Sequence, residues 1–163
     1  MAFLEWVLIV LLIAAVALAL AGPLGLLRGR MPGDLGPHDG RLKPPSMRPN
    51  SVSSQAGLYP NHPMRDYARI EPFALLRSGP ATIERIRRIV EGMPGAKVVQ
   101  STSGYLHVEF ATPTLRLVDD AEFWFDPKAG VIQVRSASRL PRRDFGANRA
   151  RLETIRQALD AAR

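Results

Sequence analysis

Hydrophobic and polar positions divide the chain into three stretches. From Trp6 through Leu27, "WVLIVLLIAAVALALAGPLGLL" holds no charged residue. At about 1.5 Å per helical residue, such a run crosses a hydrocarbon core of about 30 Å. From Arg28 to about Pro63 neither the helical nor the strand period is present, and Pro, Gly, Ser and Asn dominate, as in "MPGDLGPHDGRLKPPSMRPN". Beyond that point periodicity returns and predicts regular elements.

"ARIEPFAL" (Ala68 to Leu75) reads as a short edge strand ending near Pro72. In "GPATIERIRRIVEGMPG", Pro80 suits a first helical position, Ile83, Ile86 and Val90 share one face, and Gly92 marks a stop, which predicts an amphipathic helix. Four runs rich in β-branched and aromatic residues follow: "AKVVQST", "YLHVEFAT", "LRLVDDAEFWF" and "VIQVRSAS". The Ser-Gly, Pro-Thr and Asp-Pro-Lys-Ala-Gly signals between them predict an antiparallel meander. From Asp144 onward, Phe145, Leu152, Ile155 and Leu159 recur at helical spacing, predicting a second helix with one buried stripe and Asp144 as its cap.

The expected architecture is therefore α+β. It comprises a transmembrane helix over 1–27, an extended linker over 28–63, and a domain over 64–163 in which four to five antiparallel strands pack with two helices. The first segment has a competing reading as a cleaved signal peptide, since Ala17, Ala19 and Ala21 form an A-x-A-like pattern. Against it, "MAFLE" lacks a basic residue and the apolar run exceeds the usual h-region of about 7–15 residues. Arg28, Arg30, Arg41 and Lys43 follow the span and none precedes it, a bias toward a cytoplasmic domain that a following domain can override, so the side of the membrane stays open. The proline-rich linker is expected to stay extended and to hold the domain away from the bilayer.

Charge sharpens this picture. The 163 residues carry a formal net charge of +7, mostly from arginine, because only Lys43, Lys97 and Lys128 are lysines. The sequence pI near 10.7 alone would suggest nucleic acid. The basic residues are spread along the chain, however, and no nucleic-acid motif is present, so nucleic acid is not expected as a partner. Membrane lipid is, because basic residues close to an anionic surface are each worth about 1 kcal/mol. The absence of cysteine excludes disulfides, thiolate catalysis and zinc–cysteine sites. His38, His62 and His107 lie too far apart for a local metal motif. No cofactor or metal is called for, and no catalytic residue is assigned. Asn50, Ser51, Ser53 and Ser54 suit tight turns better than nucleophilic catalysis, for which His62 is the only local base.

The candidate chemistry lies in "RSASRLPRRDFGANRARLETIR", Arg135 to Arg156. Pairing the last two strands so that apolar residues coincide sets Phe125 against Ile132 and Phe123 against Val134. The same register sets Glu122 opposite Arg135 and Asp119 opposite Ser138, with Asp120 diagonal to Arg135 and Arg139. Asn148, between Phe145 and Leu152, then points its amide toward the core beside Arg149, and a buried amide needs partners. Three arrangements fit these residues. Acids and arginines can neutralise one another in a lattice that pins helix to sheet. Alternatively, Arg135, Arg139 and Arg149 clamp an anionic ligand that Ser136, Ser138 and Asn148 orient. In the third, Asp119, Asp120, Glu122 and Asp126 hold a divalent cation, although neighbouring strand residues point to opposite faces.

The pattern "RPNSVSSQA", then "DDAEFWFD", then "VIQVRSASRLPRRDFGANRARLETIR" resembles the family of domains of unknown function numbered 1499, found in bacterial envelope proteins and in chloroplasts. The resemblance runs from about Pro44 to the C-terminus and is most specific over Val134 to Arg139 and Asp144 to Arg151. It implies one α+β domain and no particular reaction. The family often carries cysteines flanking the "PN" of its first motif, where this chain has Pro45 and Ser51, so a redox or metal role through them is excluded here. The sequence thus points to a membrane-anchored, non-enzymatic binding or assembly domain. The alternative is a hydrolase or binding protein that acts on an anionic small molecule or lipid headgroup through Arg135, Arg139 and Arg149.

Overall fold

The computed structural model describes residues 2–140 and 142–161. The apolar run forms helix α1 (Ala2–Ala21), starting earlier and ending earlier than the uncharged stretch. Gly22 and Pro23 stop it, because a proline disfavours helical geometry in the residue before it. Over Phe3–Ala21 the helix has a mean hydropathy of 2.8 and none of it is buried against the rest of the molecule. It is long and apolar enough to cross a bilayer, a test that a signal sequence also passes.

The proline-rich segment after α1 packs along the domain well before its end. A Cβ on Gly22 would lie 2.4 Å from the Thr114 carbonyl oxygen, so this glycine permits direct backbone contact with the domain. Leu42 is 1% exposed, and its N–H donates to Gln55 Oε1 at 2.7 Å while Gln55 Nε2 donates to the Gly40 carbonyl at 3.1 Å. Proline makes this stretch irregular without making it stand away, because its polar backbone groups find partners on the domain.

The end of the expected linker contributes a strand. β1 (Ser51–Ser53) and β2 (Phe73–Ala74) both pair antiparallel with β6 (Val131–Ser138). With β3 (Ala96–Ser101), β4 (Tyr105–Ala111) and β5 (Val118–Asp126) they make a six-stranded sheet of order β1-β6-β5-β4-β3, in which β2 lies alongside β6. The four-strand meander is as expected, and the sheet gains β1 beyond it. The expected edge strand at Ala68–Leu75 shrinks to two residues, because Arg65–Ala68 turns as the short helix α2 and Pro72 precedes the pairing.

Helices α3 (Gly79–Glu91) and α4 (Ala147–Asp160) cover one face of the sheet. Ser78 caps α3 by accepting from Ala81 N, and Ile83, Ile86 and Val90 point inward. From α4, Leu152, Ile155 and Leu159 join them against Leu106, Val108, Phe123, Ile132 and Val134. Phe145 departs from the expected stripe: α4 begins at Ala147, and Phe145 lies outside it, 89% exposed. Its backbone and that of Gly146 are left-handed (φ 51° and 85°), and the tight turn they make, closed by Ala147 N donating to the Asp144 carbonyl at 3.0 Å, turns the ring away from the core.

Candidate functional site

The register of β5 with β6 is the one that apolar alternation requires. Phe125 meets Ile132, Phe123 meets Val134, Glu122 meets Arg135 and Asp119 meets Ser138. Since side chains alternate between faces, the candidate residues part into two buried polar clusters on opposite sides of the sheet. Asp119, Ser136 and Ser138 face the helices, whereas Asp120, Glu122 and Arg135 face the other way.

On the helix side the centre is Asn148, which is fully buried. Its Oδ1 accepts from the Ser136 hydroxyl and from Arg151 Nη1 at 3.0 Å. Its Nδ2 donates to Asp144 Oδ2 at 2.9 Å, Ser138 Oγ at 3.1 Å and the Asn50 carbonyl at 3.3 Å. Asp144 also accepts from the Tyr67 hydroxyl, and from Gly146 N at 3.0 Å and Asn148 N at 3.3 Å, which fixes the start of α4. Burial alone would raise the Asp144 carboxyl, but hydrogen bonds from Tyr67, Gly146 and Asn148 hold it below its ordinary range. Arg151 completes the cluster, donating to Asp119 Oδ2 at 2.7 Å while its guanidinium lies 4.6 Å from the centre of the Phe110 ring.

Arg149, expected here, is elsewhere. Its Nη2 donates to the Tyr67 carbonyl at 2.6 Å on the exposed side of α4, so it joins neither Arg135 nor Arg139. The helical period explains the exchange, because Arg151 lies three residues beyond Asn148 on the same face and Arg149 is its immediate neighbour. That spacing was available in the sequence.

On the outer face three carboxylates meet three guanidinium groups. Arg139 grips Asp120 with two hydrogen bonds, Nε to Oδ2 at 2.8 Å and Nη2 to Oδ1 at 2.7 Å, and its Nη2 also donates to Glu109 Oε1 at 2.7 Å. Arg28 reaches Glu109 Oε2 from across the chain at 3.0 Å. Glu122, fully buried, accepts from Gly36 N at 2.7 Å and the Tyr105 hydroxyl at 2.9 Å, and pairs with Arg135 at 3.3 Å. His107 Nε2 lies 2.8 Å from Asp120 Oδ1. Burial would push the Asp120 carboxyl up, but the hydrogen bonds and charges of Arg139 and His107 keep it below its ordinary value. Burial, with the Glu122 charge, pushes the Tyr105 phenol well above the usual range.

Tyr105, His107 and Glu109 escaped the sequence reading, although their alternation along "YLHVEF" was the signal that they share a face. Arg28 and Gly36 could not have been found that way. They meet Glu109 and Glu122 across 81 and 86 residues of chain.

The acids of the third arrangement, a shared divalent cation, are separated. Asp119 is on the helix side, and Asp126 closes the β5–β6 turn by accepting from Lys128 N at 3.0 Å and Ala129 N at 3.2 Å. Among the described residues no three His, Asp or Glu side chains converge as a metal ion requires. The serines of the first motif serve backbone geometry: Ser51 Oγ accepts from Ser46 N at 2.8 Å, and Ser54 Oγ from Val134 N at 2.8 Å. His62 Nδ1 accepts from Met64 N at 3.1 Å and caps its own turn.

A cavity of about 290 Å³ opens beside the outer lattice, between Arg30, Lys43, Ser46, Arg135, Ser138 and Arg139. The Arg135 Nε is buried and has no hydrogen-bond partner. The cavity places positive charge around a small volume, but Arg135 and Arg139 are already engaged by Glu122 and Asp120.

No curated protein and no solved structure matches the chain. The matching family model covers residues 41–159, which takes in β1, the inner polar cluster, the outer one apart from Arg28 and Gly36, and all but the end of α4. With the sheet, its six strands and the "VRSASR" and "NRAR" segments that build these clusters all inside that match, the chain belongs to DUF1499, a family of proteins of unknown function.

Proposed function

We propose that this chain is a membrane-anchored, non-enzymatic binding or assembly module, in which α1 spans the bilayer and the arginine–carboxylate clusters serve folding. The observation that carries this reading is the commitment of the arginines. Arg135 and Arg139 have side chains only 5% and 4% exposed and face Glu122, Asp120 and Glu109. A clamp for a ligand needs guanidinium groups open to solvent, and these are closed in by acids and by the segment that follows α1.

The second reading, an anionic small molecule or lipid headgroup held in the cavity beside Arg30 and Lys43, is favoured by the unpartnered Arg135 Nε. A ligand that binds only the folded chain raises its stability as its concentration passes the Kd. Thermal unfolding of the full chain in detergent, titrated with inorganic phosphate and with citrate at constant ionic strength, separates the two. The assembly reading expects no shift beyond that of a matched sodium chloride control. A saturable rise in Tm that Arg30→Ala abolishes would favour the anion site. Retention of the chain in the membrane pellet after alkaline carbonate extraction tests the anchor, and recovery of a soluble chain beginning near Gly22 would assign α1 to a signal peptide.

A further inference from the structure

Phe145 is the residue at which the sequence pattern and the structure part company. Its spacing to Leu152 fits the core stripe, yet its ring is 89% exposed on a left-handed backbone, φ 51°. For a bulky residue this geometry is uncommon and unfavourable, and it persists only where the surroundings fix it. They do so here: Asp144 N donates to the Pro49 carbonyl at 3.1 Å, and Asp144 accepts from Gly146 N. A rigid turn therefore holds an aromatic ring out from the surface.

The neighbourhood of that turn has a distinct chemistry. Leu140 is 46% exposed, and Arg142 and Arg143 between it and Phe145 are exposed and make no ion pair among the described residues. The turn also lies at a particular end of the sheet. The chain leaves β6 at Ser138 beside the start of β5, where Arg139 N donates to the Val118 carbonyl at 3.0 Å. The same end carries the β4–β5 loop, whose Thr114 and Leu115 abut Gly22, the residue at which α1 stops. Gly29 packs against Arg139 and Leu140, and the intervening Leu24 and Leu26 are each 70% exposed.

From these observations we infer that Phe145, with Leu140, Arg142 and Arg143, is a second membrane contact that seats in the interfacial layer of the anionic leaflet bordering α1. This rests on the reading of α1 as a membrane anchor. Apolar and aromatic side chains enter the acyl boundary while arginines remain at the phosphate level, the division that interfacial segments use. The ring is then presented to lipid instead of water. One anchor at Gly22 and a second contact at Phe145 would fix the tilt of the domain over the bilayer, which a single helix leaves free.

The test uses the full chain, reconstituted into phosphatidylcholine vesicles with and without phosphatidylglycerol. Three single-tryptophan chains, all lacking Trp124 and the last two also lacking Trp6, report on three depths: native Trp6 in α1, an indole introduced by Phe145→Trp, and one introduced by Lys128→Trp at the opposite end of the sheet. Brominated lipid should quench Trp6 and the indole at 145 several-fold more strongly than the indole at 128, and the effect at 145 should grow with phosphatidylglycerol and fall on Arg142→Glu with Arg143→Glu. If Trp6 is quenched by lipid while the indole at 145 is quenched only by aqueous iodide, the loop does not touch the bilayer and the inference fails with the anchor intact. If Trp6 itself escapes lipid quenching, the anchor reading fails. Shielding at 145 that depends on chain concentration and not on lipid would assign the ring to a second copy of the chain, which also overturns the inference. Where removal of Trp124 prevents folding, Phe145→Cys with an environment-sensitive label in the otherwise native chain gives the same readout, since the sequence has no other cysteine.

Discussion

On the helix side of the sheet one neutral amide, Asn148, organises the polar cluster, whereas on the outer side three carboxylates and three guanidinium groups face one another with a histidine and a tyrosine. The inner cluster sits at the rim of an apolar core, so it needs only to satisfy the groups that packing has buried. The outer face has no such core. Leu42 is the one large aliphatic side chain between Gly22 and Asn50 that is buried, and the segment is held by hydrogen bonds from Gly36 and Leu42 and by Arg28. Where apolar area is scarce, charge-assisted hydrogen bonds attach irregular chain to a sheet. The comparison therefore separates two jobs that the sequence writes with the same residue types.

Removal of one charge from the outer face should have the largest effect. Glu122→Gln keeps the shape of the side chain but leaves Arg135 buried without its counter-charge, a loss of about 3–5 kcal/mol in systems of this kind. Urea unfolding of the full chain in detergent, followed through Trp124 in a Trp6→Phe background, measures it. Asn148→Ala should cost less, about 1–3 kcal/mol, because the groups it abandons are mostly neutral. Equal losses at the two positions would erase the distinction between a face held by buried ion pairs and one organised around a neutral amide.

Much of this was legible in the sequence. The α3 stripe of Ile83, Ile86 and Val90, the four-strand meander and the Glu122–Arg135 pairing follow from local period and turn chemistry, which act over a few residues. Phe145 was misplaced because its spacing obeys the helical period, while a turn anchored by Asp144 to distant Pro49 decides its fate. Arg149 is next to Asn148 in sequence, but the three-residue helical step from Asn148 leads to Arg151, which joins the inner cluster. The wrapping of residues 22–50 left no periodic signature, since its contacts are single hydrogen bonds to side chains far along the chain. The division of one candidate cluster into two needed only the alternation of strand faces, which the pairing already contained.

Acid should weaken both faces by the same sign. Asp120 and Asp144 are held below their ordinary values in the folded chain, so the unfolded chain takes up protons first. Stability is complete above the unfolded carboxyl value of about 3.9 and is lost as pH falls through it toward the folded values. Asp120→Asn should flatten that acid limb by removing the outer contribution, and Asp144→Asn by removing the inner one, in urea midpoints measured from neutral pH downward. The smallest effect belongs to Arg149→Ala, which removes one exposed hydrogen bond to the Tyr67 carbonyl and should change stability by no more than about 0.5 kcal/mol. A larger loss would return Arg149 to the network.

Arg139 decides between scaffold and site most directly, because it is the residue both readings need. Polar groups held ready for a ligand commonly carry a stability cost that their removal relieves, whereas a structural guanidinium leaves Asp120 and Glu109 without their principal donor when it is truncated. Urea unfolding of wild type and Arg139→Ala, in detergent and in buffer free of phosphate and carboxylates, should show the variant less stable by at least about 2 kcal/mol. A midpoint that is unchanged or raised would contradict the structural role of the outer lattice and leave Arg139 as part of a binding site.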